Sequence, residues 1–358
     1  MSRYDIAIGG AGIVGATLAA ELAPHVSVVL LEAEDQPGYH STGRSAAFWS
    51  ETYGGPGVQP LTTASGAALR DGGFLEPLGS LHIGRAGEAA AMDAFFDAFA
   101  GTGIPLERVD PHALVPGLRP EWTLGLIEPS CAYIDVAALH ADALARAKRA
   151  GATLMTRAGV ERAVHGAIGW RIATPAGEVV ADTLVDAAGA WADPVAERAG
   201  VRPLGIQPYR RTMVQLRTDP AAPPGMPHVA HIGGDFYFKP EAGGRLWLSP
   251  HDETPTDPCD AAPEELDVAI AIDRFEQVVT WRIAGLERRW AGLRSFAPDR
   301  LPVYGRDLAV PAFFWCAAQG GFGIQAAPAA AKLAAALLLG RPEDAPVDPR
   351  PYAPGRFG

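Results

Sequence analysis

The sequence predicts a mixed α/β (α+β) protein: a Rossmann-like nucleotide-binding domain into which an antiparallel sheet is inserted. Three observations carry this. The first is a strand, glycine turn, helix and second strand at the N-terminus; the second is a buried strand that runs into a small-residue turn near residue 187. The third is a proline-linked series of strand-like runs from about residue 201 to residue 290, before the chain returns to glycine turns.

The N-terminal unit is Tyr4-Asp-Ile-Ala-Ile-Gly-Gly-Ala-Gly-Ile-Val-Gly15, followed by Val26-Ser-Val-Val-Leu-Leu-Glu32. Gly10 permits a tight turn, Gly12 lets the backbone approach a pyrophosphate, and Gly15 lets the helix opened by Ile13 and Val14 pack on the strand. The helix N-terminus then faces the phosphates. Glu32 ends the second strand 20 residues past Gly12, where a carboxylate accepts hydrogen bonds from ribose hydroxyls.

Composition narrows the class. The chain has 358 residues, 48% of them hydrophobic, enough for a large core in two or three folding units. A net charge of −11 argues against a nucleic-acid partner and against binding an anionic membrane. Cys131, Cys259 and Cys316 are far apart and without metal-ligand spacing, so reduced thiols are expected. With no export signal and no apolar run long enough to span a bilayer, the expected location is cytoplasmic, or peripheral at the inner face of the membrane.

Pro37 to Ala47 reads as a phosphate loop, and Phe48-Trp-Ser-Glu-Thr-Tyr53-Gly-Gly-Pro-Gly57 as a mobile aromatic segment. A strand is expected over 79–85, a helix with Met92, Phe95, Phe96 and Phe99 on one face over 88–100, and a helix capped by Asp135 with a basic last turn. Strands follow at 152–156, 159–165, 170–174 and 179–182, then a buried strand from Thr183. The inserted sheet has runs at 212–216, 236–240 and 245–249 and a helix near 264–278. An apolar helix begins near Ala326, and the last residues, rich in Pro and Gly, read as a loose tail. Residues 1–75, 135–200 and 290–358 are assigned to the nucleotide domain, 76–134 and 201–289 to the substrate domain.

These segments resemble the D-amino-acid oxidase superfamily of flavoproteins, over essentially the whole length. His40-Ser-Thr-Gly-Arg-Ser-Ala-Ala47, Leu204-Gly-Ile-Gln-Pro-Tyr-Arg-Arg211, Phe236-Tyr-Phe-Lys-Pro240, Trp290-Ala-Gly-Leu-Arg-Ser-Phe296 and Ala317-Ala-Gln-Gly-Gly-Phe-Gly-Ile-Gln325 look most like the bacterial D-arginine dehydrogenases within it. The resemblance implies FAD, held by Gly10, Gly12, Ile13, Val14, Gly15, Glu32 and Ala33. It also implies contacts from Thr42, Gly43, Arg44, Ser45, Ala46 and Ala47, from Val160, Ala188, Gly189 and Trp191, and from Arg294, Gly320, Gly321, Gly323, Ile324 and Gln325 around the flavin ring. Gly292 falls where some relatives attach the flavin through cysteine, so a non-covalent cofactor is expected.

For the substrate, the resemblance implies that Arg211 and Arg294 clamp a carboxylate, that Tyr237 adds a hydrogen bond and that Tyr53 is a lid residue. Phe48, Ser50, Ser80, Gly292 and Gln325 complete the implied pocket. Forked guanidinium groups orient a carboxylate and set its α-carbon against the flavin. Of Arg210 and Arg211, adjacent in a strand, one is expected to face inward and the other solvent. The D-arginine enzymes carry a glutamate where this chain has Ser80 and a histidine where it has Phe48, so the side chain accepted here is expected not to be strongly cationic. His82, on the face of Ser80, and Glu76 are the nearby groups able to compensate. His40, His82, His228, His231 and His251 are bases by type only, most expected to be exposed or structural.

The expected reaction is oxidation of a D-amino acid by hydride transfer to the flavin, giving an imino acid that hydrolyses to a 2-oxo acid and ammonia. Alternatives are a cyclic imino acid, an N-methyl amino acid or a 2-hydroxy acid as substrate, or a flavin subunit that needs a partner protein. The electron acceptor is a quinone, an electron-transfer partner or oxygen; Trp247, standing where oxygen-using relatives carry a lysine, favours an acceptor other than oxygen.

Overall fold

In the computed structural model, which describes residues 2–358, the strand Ser2–Gly9 lies between Val28–Leu31 and Gly177–Asp186, parallel to both. Thr153–Met155 and Phe313–Ala317 continue the parallel run beyond its two neighbours. Alternation along these strands makes two buried layers. Ile6, Ile8, Leu30, Val185 and Phe314 pack under the helices Ile13–Leu22 and Ala327–Leu338, while Ala7, Val29, Leu31, Leu184 and Trp315 build the core on the other side. Asp135 caps the helix Val136–Arg149 by accepting from Ala138 N at 2.9 Å, and Arg146, Lys148 and Arg149 sit at its negative end.

Gly177–Asp186 is one strand, where the sequence suggested a hairpin strand and a separate buried one. One of its edges pairs antiparallel with Gly169–Thr174 and then parallel with Phe313–Ala317, which explains the change of pattern midway. Asp182, which reads as a break, is an exposed partner of Arg3.

The second sheet has nine strands, dominated by the long antiparallel pair Gln207–Asp219 and Arg282–Phe296; the latter runs unbroken across residue 290. From that pair it continues through Arg245–Ser249, Tyr237–Glu241, His228–His231, Ser80–Gly84 and Leu124–Glu128. One face is apolar: Leu81, Val214, Val229, Phe238 and Leu248 pack against Val268, Ala271 and Phe275 of the helix Glu265–Glu276.

Register places the polar residues on the opposite face, because directly paired residues, and those two apart, share a side of the pleat. Ser80 is paired with both Glu128 and His228, and Tyr237 with Ser249. Arg211 is paired with Gly292, two residues before Arg294. Arg210 alternates to the apolar side, but it does not face solvent as expected. It donates to Glu264 and Asp267 at 2.9 Å each, at the N-terminus of the helix that covers that face.

The helix read over 88–100 is Ala89–Ala98, and of its aromatic stripe only Met92 and Phe99 are buried; Phe95 lies on the His82 ring at 4.4 Å. The C-terminal tail is docked rather than loose. Tyr352 is buried and donates to Gly57 O at 2.9 Å, and Arg356 pairs with Asp299 at 2.6 Å. No helix among the described residues is long and apolar enough to cross a membrane.

Candidate active site

A cavity of about 340 Å³ opens at the carboxyl ends of Ser2–Gly9, Val28–Leu31 and Gly177–Asp186, the edge where open parallel sheets bind ligands. It is walled by the segments around Gly10 to Val14, Glu32 and Ala33, Thr42 and Ser45, Val160, Ala188 to Trp191, and Gly320 to Ile324. The fit to an elongated dinucleotide rests on where side chains are missing. A Cβ on Gly10, whose φ is +104°, would lie 2.5 Å from Ala187 O, and one on Gly15 would lie 2.0 Å from Gly10 O. The helix Ile13–Leu22 starts at Gly12 with no side-chain cap of its own, leaving its end open to a phosphate.

Glu32 is buried and does more than the sequence suggested. Its two oxygens accept from Ala11 N at 2.9 Å and Glu34 N at 3.0 Å, so the carboxylate fixes the glycine turn and still has lone pairs for a ribose. Thr42 Oγ1 accepts from Ile13 N at 3.0 Å and ties the phosphate loop to the helix start. Gly15, Gly43, Arg44, Ala46, Ala47 and Gln325 do not line the cavity. The Arg44 guanidinium is occupied by Asp260 and by Ala261 O at 2.8 Å. No cysteine lines the cavity among the described residues.

Arg294 also lines this cavity. It is 7% exposed, makes one hydrogen bond, to Leu293 O at 3.2 Å, and has no carboxylate partner among the described residues. Burial pulls its pKa down, the cost of an uncompensated charge. Gly292 leaves the space beside it: a Cβ there would come within 3.4 Å of Arg294 Nη1. Arg211 is also buried, donating through Nε to Asp252 O at 2.8 Å and through Nη2 to Glu253 at 3.1 Å, with Nη1 uncommitted. The Tyr237 hydroxyl donates to the Met213 sulfur at 3.1 Å and lies beside Ser249, and burial raises its pKa. Sulfur is a weak acceptor, so this hydroxyl is free for a better one.

An aromatic cluster lies beside the two arginines. Tyr53 lies 5.2 Å from Phe48 and 5.1 Å from Phe322, and a Cβ on Gly321 would meet the Tyr53 hydroxyl at 2.5 Å. The loop that carries Tyr53 is anchored rather than free. Glu128, fully buried, accepts from Ser50 Oγ at 2.7 Å, Thr52 Oγ1 at 2.6 Å, Glu51 N at 2.7 Å and Ser130 Oγ at 3.3 Å. Burial outweighs these bonds and raises the Glu128 pKa. Gln325 holds the same loop, donating to Tyr53 O at 2.9 Å and accepting from Ser50 N at 3.3 Å. Ser50 and Gln325 therefore serve this anchor. Sequence reasoning missed Glu128; its signal, an acid closing the apolar strand Leu124–Glu128, is visible only beside Ser80.

The imidazoles are mostly structural, one of the two outcomes expected. His228 and His231 lie in a strand of the second sheet, and His228 is buried 4.4 Å from the Phe48 ring. His251, at φ +55°, lies 5.7 Å from Tyr237, with its pKa pulled to about 4, chiefly by burial and then by Arg211. Glu76 is exposed and His40 bonds Glu34 at 2.9 Å. Trp247 packs edge-on against Trp290, with the buried Lys239 over its ring.

A family model described as FAD dependent oxidoreductase (DAO) matches residues 5–337. Glycine oxidase of Pseudomonas aeruginosa is 30% identical over 51% of this chain and 48% of its own length. Mitochondrial dimethylglycine dehydrogenase of Mus musculus is 27% identical over 99% of this chain and 44% of its own. The chain thus spans about half the length of the curated relatives it matches. L-proline dehydrogenase from P. horikoshii has the same fold, with a TM-score of 0.87 at 22% identity over 99% of this chain and 98% of that one. The cradle, its open helix end and the extent of the family match agree: the chain belongs to the DAO family of FAD-dependent oxidoreductases, and its cofactor is FAD.

Proposed function

We propose that the protein oxidises the carbon–nitrogen bond of an α-amino acid, in the D series to which its motifs point, yielding an imino acid that water converts to a 2-oxo acid and ammonia. The observation that carries this reading is Arg294, a buried cation with no acid partner in the lining of a nucleotide cavity. Such a charge is tolerated where an anionic ligand completes it. Bound FAD supplies the two-electron acceptor; Gly10, Gly12, Glu32, Gly320 and Gly321 would hold it.

Arg294 and the free Nη1 of Arg211 take the carboxylate and Tyr237 donates to it, which fixes the α-carbon relative to the cavity. Tyr53 and Phe48 close over the ligand and exclude water. The two buried guanidinium groups disfavour an ammonium beside them, so the amine binds in its neutral form. In this reading kcat/KM rises with pH up to the substrate's own ammonium pKa. Trp247, edge-on to Trp290 and standing where oxygen-using relatives carry a lysine, supports an acceptor other than oxygen. The same clamp suits a secondary or tertiary amine, as in the names of the L-proline and dimethylglycine relatives.

The test is anaerobic mixing of the holoenzyme with D- and L-amino acids, cyclic and N-methyl amino acids and 2-hydroxy acids, following bleaching of the flavin absorbance. Bleaching by D-amino acids is the expected result; bleaching by hydroxy acids alone refutes the amine reading. Arg294→Met should cost about 2–5 kcal/mol in kcat/KM while FAD stays bound, and removing the unpaired charge should raise Tm. Unchanged kinetics would take Arg294 out of the site.

A further inference from the structure

The sheet face that carries Arg211 and Arg294 continues past Tyr237 to His228 and Ser80, and a polar atom there lacks a partner. His228 is 3% exposed; its Nδ1 lies 3.0 Å from Ser80 Oγ, and its buried Nε2 has no hydrogen-bond partner among the described residues. The ring is flanked by Phe48 at 4.4 Å and Tyr237 at 5.4 Å, two walls of the proposed substrate pocket. Other buried polar atoms of the chain also lack a partner, among them Tyr304 Oη and Arg210 Nε, but the His228 ring lies against two residues of the proposed pocket, where a bound ligand is able to complete it.

The surrounding charges are already committed. Glu128, paired with Ser80 across the strands, is filled by its donors, and Lys239 is held by Glu241. Burial keeps His228 neutral by pressing its pKa well below 6.5. Nothing here would balance a cationic side chain or a second carboxylate. An apolar side chain would leave Nε2 unpartnered, whereas a neutral polar one would satisfy it. The Ser80 hydroxyl both donates and accepts, so the ring is able to present either an N–H or a lone pair at Nε2.

We propose that His228, oriented by Ser80, is the specificity-determining residue of this site, and that the substrates are α-amino acids whose side chains bear an uncharged hydrogen-bonding group such as a primary amide or hydroxyl. This rests on the carboxylate-clamp reading above. It assigns the selective contact to a position that the family resemblance left as a base by type only.

The experiment compares near-isosteric pairs, asparagine with leucine and glutamine with methionine, in the enantiomeric series that the holoenzyme turns over. The wild type should favour the amide member by about 10- to 100-fold in kcat/KM. His228→Leu should bring that ratio to about 1 or below, His228→Asn should restore part of it, and Ser80→Ala, a smaller change to the core, should lower it. A ratio that is the same in the wild type and His228→Leu overturns the proposal. If no amino acid is oxidised, the proposed reaction fails by itself, and selectivity is read instead as binding of succinamate against 4-methylpentanoate from the shift in flavin absorbance. Equal preference in wild type and His228→Leu there overturns the His228 assignment; failure of both acids to bind overturns the clamp and the proposal with it.

Discussion

Removing the Glu128 carboxylate should disable the enzyme from beneath its lid. The side chain accepts four hydrogen bonds, from Ser50, Glu51, Thr52 and Ser130. In Glu128→Ala the Ser50 and Thr52 hydroxyls, 3.2 Å apart, are able to bond each other, which strands the Glu51 N–H and one remaining hydroxyl in a buried site. At about 1–3 kcal/mol per stranded group the local cost is about 2–6 kcal/mol. Because Tyr53 follows directly and rests against Gly321, that cost falls on the closed position of the lid, and even its lower bound reduces the closed population about 30-fold. The assay is kcat/KM with the best substrate, normalised to bound flavin, in a cycle with Tyr53→Ala. If Glu128 acts through Tyr53, the double variant is little worse than the worse single one, a coupling of at least about 1 kcal/mol. Additive losses, or a lower Tm with kcat/KM unchanged, would show Glu128 to be a structural residue only.

The glycines and buried histidines give further tests. Gly10→Ala, with φ at +104° and a Cβ 2.5 Å from a backbone oxygen that cannot yield, should give protein with little or no bound flavin; normal flavin content would refute the cradle. Gly321→Ala should displace the Tyr53 hydroxyl and lower kcat/KM by about 10- to 100-fold with flavin still bound, an effect absent if Tyr53 is already removed. Burial holds the His82 pKa at about 4, below the unfolded value of 6.5, so the unfolded chain takes up the proton first as pH falls. Its contribution is therefore intact above pH 6.5 and lost towards pH 4, by roughly 3 kcal/mol at about 1.4 kcal/mol per unit. The Tm of His82→Leu relative to wild type should accordingly rise as pH drops through that window; a constant difference would contradict it.

How much of this was legible in the sequence depended on the range over which each signal acts. The glycine turn, Glu32 and the Asp135 cap are local: the constraint and the residue that answers it lie within a few positions or one strand–helix–strand unit. Strand phase also carried over, since alternation alone put His82 on the side of Ser80 and separated Arg210 from Arg211. What alternation could not supply was the partner across the sheet. Phase sets Arg210 and Arg211 on opposite faces without saying which of them meets the cavity; the acids of the helix Glu265–Glu276 occupy the one, and Asp252 and Glu253 the other.

The same limit explains the lid and the tail. Phe48 to Gly57 has a mobile composition, yet it is held by Glu128 from one strand, Gln325 from a distant turn and Tyr352 from the C-terminus, none near it in sequence. The anchors are also unequal. Ser50 to Tyr53 is fastened by a buried carboxylate and an amide, whereas Gly54 and Gly55, at φ +105° and +76°, form the left-handed turn that follows. Substitution at Gly55, where an added Cβ meets nothing within 4 Å, should therefore change lid motion through backbone strain alone. A conformational requirement acting without contact is invisible to pairing arguments, and it makes this glycine the place where lid dynamics separates from lid packing.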